Sequence, residues 1–143
     1  APPVQASAPA APRPPDWPLP RLLVPYVAEA EAARGWRTFV PGVRSLALGT
    51  GPGCSDRLRL FHLRPGRSLA RHDHAGEEWT LVLTGAFSLG GDRFGAGDLA
   101  AARPGMAHAP RVEGAADCVC LVMEEGPMRF TGPFGGVFGM MAR

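Results

Sequence analysis

Four residues of this 143-residue chain have the types and spacing to hold a metal ion: His72, His74, Glu78 and His108. Imidazole nitrogens and carboxylate oxygens are common ligands of first-row divalent ions, and three imidazoles with one carboxylate suit zinc, iron, manganese or nickel. Alternate side chains of a strand share a face at roughly 6.6 to 6.8 Å per pair, so His72 and His74 can reach one ion from one side. A turn at Ala75-Gly76 brings Glu78 round to join them. His108 completes the set if another strand region packs opposite and faces the first three across an interior. The expectation is one divalent ion per chain, zinc first, with iron, manganese and nickel as alternatives. The remaining histidine, His62, lacks such company and reads as a satisfied core or surface residue.

The elements that must position these donors are short strands. Residues 77–84 are the most strand-like run, with Glu78, Thr80, Val82 and Thr84 sharing the metal face and Trp79, Leu81 and Leu83 taking the other. A strand that is apolar on both faces must be covered twice, so the outer face should pack on the N-terminal lead-in, a second chain or a further domain. A homodimer is the expected oligomer. Period-two patterning also marks residues 36–40, 43–49, 57–64, 99–102, 109–112 and 117–124, and a hairpin of 86–89 with 92–94 turns at Gly90-Gly91. An Ala/Glu run over 26–34 predicts one short helix stopped by Gly35, with Leu22, Leu23 and Tyr26 covering a sheet face. About nine or ten short strands without crossover helices predict an all-β barrel or jelly roll.

Composition narrows the function classes. A net charge of +2 and no basic patch with interleaved aromatics argue against direct nucleic-acid binding. No apolar run approaches the roughly 18 residues of a membrane-spanning helix. Residues 1–18 contain seven prolines and little apolar bulk, which predicts an extended or disordered linker. Residues 19–131 form the domain with its lead-in. Residues 132–143 make a tail too glycine-rich for an isolated helix and too apolar to stay free, expected to dock on its own barrel or on a partner. Cys54, Cys118 and Cys120 are too few and too oddly spaced for a disulfide framework, which favours a reducing, cytoplasmic setting. Cys118 and Cys120 share a strand face at roughly 6.6 Å, near the upper limit for a bond. They read as small buried side chains, with a metal-proximal redox pair as the sharper alternative.

The run Gly66-x5-His72-x-His74-x3-Glu78-x6-Gly85 resembles the first motif of the cupin superfamily, and Gly97 through Gly105 to His108 is similar to the second. Arg103 stands where that family usually has proline, and Val112 where it often has asparagine. The resemblance implies a jelly-roll or double-stranded β-barrel with His72, His74, Glu78 and His108 as ligands. More narrowly, the blocks 78–87, 92–98, 117–121 and 128–130 resemble the cupin half of ChrR-type anti-sigma factors. That resemblance implies a regulatory domain responding to singlet oxygen or peroxide, preceded by a sigma-binding helical domain; Ala1 in place of an initiator methionine fits a removed upstream segment. A metal-dependent dioxygenase and a non-catalytic module for a small ligand are the alternatives. No catalytic residue is assigned, and the balance leans away from an enzyme.

Overall fold

In the computed structural model the described residues are 17–49, 52 and 57–132. The expectations for residues 1–16, for Cys54 and for the tail beyond residue 132 lie outside them. The elements run α1 (Val24–Ala33), β1 (Arg37–Val40), β2 (Val43–Leu48), β3 (Arg57–Leu63), β4 (His72–His74), β5 (Glu78–Thr84), β6 (Ala86–Leu89), β7 (Asp92–Gly95), β8 (Leu99–Ala102), β9 (Arg111–Val112), β10 (Cys118–Glu124) and β11 (Met128–Phe130).

A six-stranded sheet, ordered β1-β2-β3-β10-β5-β8, is accompanied by a three-stranded sheet, β7-β6-β9, and a two-stranded one, β11-β4. All named pairings are antiparallel. The sheets are therefore separate ribbons wrapped about one interior, in the manner of a jelly roll, and not one closed barrel. The β6–β7 hairpin turns at Gly90 and Gly91, both at positive φ as a two-residue turn requires. At Gly85 a tighter constraint applies: φ is +73°, and a Cβ there would collide with the Asp117 carbonyl. That close approach lets the end of β5 pass the start of β10.

Alternation along the strands divides the apolar residues between two cores. Phe61, Leu63, Val82, Cys118, Cys120 and Val122 point inward and meet Phe87, Ala100 and Val112 from the other elements. Leu46, Leu48, Leu60 and Val119 point outward and are covered by Val27 and Ala30 of α1, with Trp17, Leu19 and Leu23 packed alongside. Strands β2, β3 and β10 thus find their second cover in the lead-in segment, while on β5 Leu83 packs against the same cluster and Trp79 stays 38% exposed. The helix starts two residues earlier than its Ala/Glu pattern predicts, with Pro25 in its first turn, where a missing N–H costs nothing. Its buried face accordingly falls on Val27 and Ala30, while Leu22 is 85% exposed and Tyr26 55% exposed. The expectation that Leu22 and Tyr26 cover the sheet is corrected, and only Leu23 of those three packs inward.

The two cores give a direct comparison. Leu60→Ala, at a fully buried position, should cost about 2–5 kcal/mol in urea unfolding, while Leu22→Ala should stay within about 0.5 kcal/mol.

Candidate metal centre

His72 and His74 occupy the two ends of the three-residue strand β4, where alternation aims both rings to one side. His108 lies beside them. His72 N–H donates to the His108 carbonyl at 2.9 Å, and His108 N–H donates to the His72 carbonyl at 2.8 Å. Glu78 opens β5, in the large sheet. The predicted arrangement, with His108 facing the other three, is therefore corrected: the three histidines sit side by side and Glu78 reaches them from the facing sheet. The reason is the backbone bridge between His72 and His108, which puts the second loop next to β4.

One donor atom from each of the four residues lies within 4.8 Å of the others, and all four residues are buried. His74 Nε2 is 2.6 Å from Glu78 Oε2, His108 Nε2 is 3.5 Å from Oε1, and His72 Nε2 is 4.0 Å from Oε2. Donors at ~2.1 Å from a common ion in a tetrahedral set stand ~3.4 Å apart, so the wider pairs would close and the 2.6 Å His74–Glu78 pair would open around an ion. The residues fit a divalent ion held through three Nε2 atoms and one carboxylate.

The other ring nitrogens are aimed by their neighbours. His72 Nδ1 donates to the Ala70 carbonyl at 2.8 Å and His108 Nδ1 to the Met106 carbonyl at 3.1 Å, which leaves both Nε2 lone pairs facing inward. Thr80 donates its hydroxyl to Glu78 Oε1 at 3.2 Å. Burial works to raise the Glu78 carboxyl, but hydrogen bonds from His108 and His74 outweigh it and hold the group well below the usual carboxylate range. Burial pushes His72 from its ordinary 6.5 down to about 4. For His74 burial pulls the same way, and the hydrogen bond and charge of Glu78 overcome it, so His74 is raised.

Glu124 was missed in the sequence reading. It is 1% exposed at the end of β10, directly opposite Glu78 in the register, with Oε1 at 3.7 Å from His74 Nδ1 and Oε2 at 3.8 Å from Arg59 Nε. Burial raises its carboxyl against the opposing charges of Arg59 and His74, and burial lowers Arg59. The signal was present: the alternation that places Cys118 and Cys120 inward also places Val122 and Glu124 inward.

Cys118 and Cys120 are both free thiols and buried, with Sγ atoms 3.6 Å apart. They line a cavity of about 50 Å³ together with His72, Glu78, His108 and Phe87. Their hydrogen bond, followed by burial, pushes the Cys120 thiol up. His62 is the satisfied histidine expected of it. It faces the outer side, accepts from Arg44 Nε at 3.0 Å and contacts Asp117 Oδ2 at 2.7 Å.

The fold is that of a cupin, and the chain belongs to the family described as the ChrR cupin-like domain, whose model matches residues 26–129. It is 40% identical over 127 residues to the anti-sigma-E factor ChrR of Cereibacter sphaeroides, covering 89% of this chain and 58% of that protein. The chain thus spans well under two thirds of its relative's length. Among solved structures it is similar to Rhodobacter sphaeroides SigE in complex with the anti-sigma ChrR, at 41% identity and a TM-score of 0.65, covering 74% of this chain and 56% of that one. An acetylacetone dioxygenase from Acinetobacter johnsonii matches at 18% identity and a TM-score of 0.57, covering 71% of this chain and 79% of the other. That last likeness is one of fold alone.

The electrostatics yield a pH test on chelator-treated protein. Because His72 binds its proton less readily folded than unfolded, acidification from about pH 6.5 to 4 favours unfolding, by about 3 kcal/mol for this group. His74 works with the opposite sign and offsets part of it. Thermal unfolding should show Tm falling over that window, and a His72→Leu variant should show a flatter profile.

Proposed function

We propose that this chain is the metal-binding regulatory domain of a ChrR-like anti-sigma factor that acts in the cytoplasm on oxidative stress, holding its sigma factor through a segment outside these 143 residues. One observation carries the reading. The four nominated donors converge, buried, in a domain that is 40% identical to an anti-sigma factor over most of its length. Among the described residues no helix is long and apolar enough to cross a membrane.

The ligands would be Nε2 of His72, His74 and His108 and the Glu78 carboxylate, with zinc as the first choice of ion. A bound ion supplies a positive charge that ties the Glu78 strand to the histidine pair of β4 and to the His108 loop. The chain's own residues do the rest: Ala70 and Met106 orient two rings, Thr80 holds the carboxylate, and the apolar lining excludes bulk water. The oxidant-sensitive element in this reading is the pair Cys118 and Cys120. Loss of two protons and two electrons joins their sulfurs, while a hydroperoxide takes up both and leaves as alcohol and water. Closing from 3.6 Å to the ~2.05 Å of a disulfide would bend β10 beside the site. A homodimer fits the exposed apolar side chains Trp79 and Leu99, which lie on the same β5–β8 strand pair, opposite Ala101 and Leu81 respectively and so one diagonal step apart.

Protein purified without added metal should contain one divalent ion per chain, and His72→Ala, Glu78→Ala or His108→Ala should each reduce it below a tenth. The full-length gene product should inhibit transcription by its cognate sigma factor in a purified system. Inhibition should be relieved by a hydroperoxide and persist in the Cys118→Ser/Cys120→Ser variant. Absence of inhibition, or iron together with oxygen uptake on a β-diketone, overturns the reading.

A further inference from the structure

The inward end of β10 holds a charged group that the four donors do not account for. Glu124 and Glu78 are direct cross-strand partners on β10 and β5, both turned to the interior. Two carboxylates in that relation repel one another, and burying either without compensation is costly. The nearest compensation for Glu124 is the Arg59 guanidinium from β3 at 3.8 Å and the Nδ1 side of the His74 ring at 3.7 Å. Neither contact is a hydrogen bond as it stands. His74 Nδ1 and Glu124 Oε1 are both buried and without a hydrogen-bond partner, and they lie 3.7 Å apart, about 0.5 Å beyond the usual bonding range.

The comparison with the other two rings is what gives this pair its meaning. His72 and His108 each have Nδ1 tied to a main-chain carbonyl two residues earlier, so their tautomers are decided by local backbone. His74 has no such carbonyl. Its Nε2 rests on Glu78 at 2.6 Å, the contact that must open when an ion takes the place between them. A neutral imidazole that ligates through Nε2 must carry its proton on Nδ1, and the acceptor facing Nδ1 is Glu124.

We propose that Glu124, anchored by Arg59, is the positioning residue whose carboxylate accepts a hydrogen bond from the His74 Nδ1–H and so holds its Nε2 lone pair on the ion. His74 is then the one ligand of the four that is oriented by a side-chain charge from a different strand. Its ring basicity, and with it the site's affinity, depends on β10, the same strand that carries Cys118 and Cys120. The inference rests on the reading of the four donors as a metal site.

The test compares the parent protein with Glu124→Gln, which keeps shape and an acceptor oxygen but removes the charge, and with Arg59→Met. Glu125→Gln is the control, since Glu125 lies next in sequence and its carboxylate accepts from the Glu77 amide at an exposed position. Zinc affinity is read by chelator competition, and the His74 tautomer by nitrogen NMR of the zinc-loaded protein. Glu124→Gln should weaken zinc binding about 10- to 100-fold. Arg59→Met should weaken it to a smaller extent, Glu125→Gln should stay within about twofold, and the Nδ1–H signal of His74 should shift in Glu124→Gln alone of the two glutamine variants. A parent that binds zinc alongside a Glu124→Gln variant of equal affinity and unchanged His74 signal overturns this inference and leaves the site reading intact. A parent that binds no divalent ion overturns both.

Discussion

Burying ionisable groups in an apolar interior is costly unless each one is answered, and the inner half of this fold is arranged around that constraint. His72, His74, Glu78, His108 and Glu124 all lie at or below 9% exposure inside a shell of phenylalanine, leucine, valine and cysteine side chains. Main-chain carbonyls answer two of the rings, Thr80 and two imidazoles answer Glu78, and Arg59 stands by Glu124. The group left least satisfied is His74, whose ring touches carboxylates on both sides. A collection of donors of this kind could hold a divalent cation.

The outer half of the fold keeps that arrangement rigid. Helix α1 covers the back of β2, β3 and β10 through Val27 and Ala30, so each of these strands is packed on both faces. A strand held from both sides cannot rotate its inward residues away from the interior. The short strand β4 is supported differently. β11 pairs with it along all three residues, Phe130 lies 6.0 Å from the His72 ring, and the His108 bridge holds its other edge. The chain just after β10 therefore braces the histidine strand, and the bend that allows it needs Gly76, where a Cβ would strike Glu125.

Much of this was legible in sequence because it is local. The His-x-His pair, Glu78 four residues on, the alternating faces of β5 and the Gly90-Gly91 turn follow from the strand period and glycine geometry, and each reappears in the structure. The assignment of His62 to a structural role also holds, since Arg44 and Asp117 occupy both its nitrogens. What escaped was non-local. The helix face was misplaced because an Ala/Glu run has a weak apolar stripe, and the phase depends on where Pro25 starts the helix. Glu124 escaped because an acidic residue at a strand end looks like a solvated one until the neighbouring strands are known.

By itself the sequence determined which residues are ligand-competent, how they alternate along their strands, and that many short strands would wrap one interior. Composition and period-two patterning act over a few residues, so they survive without knowledge of the fold. Only the tertiary structure decided that His108 lies beside His72 and not across from it, that Glu78 alone comes from the facing sheet, and that Glu124 and Arg59 stand behind His74. Those relations depend on register between strands far apart in the chain, and a shift of one residue in the pairing would turn each of these side chains to the other face.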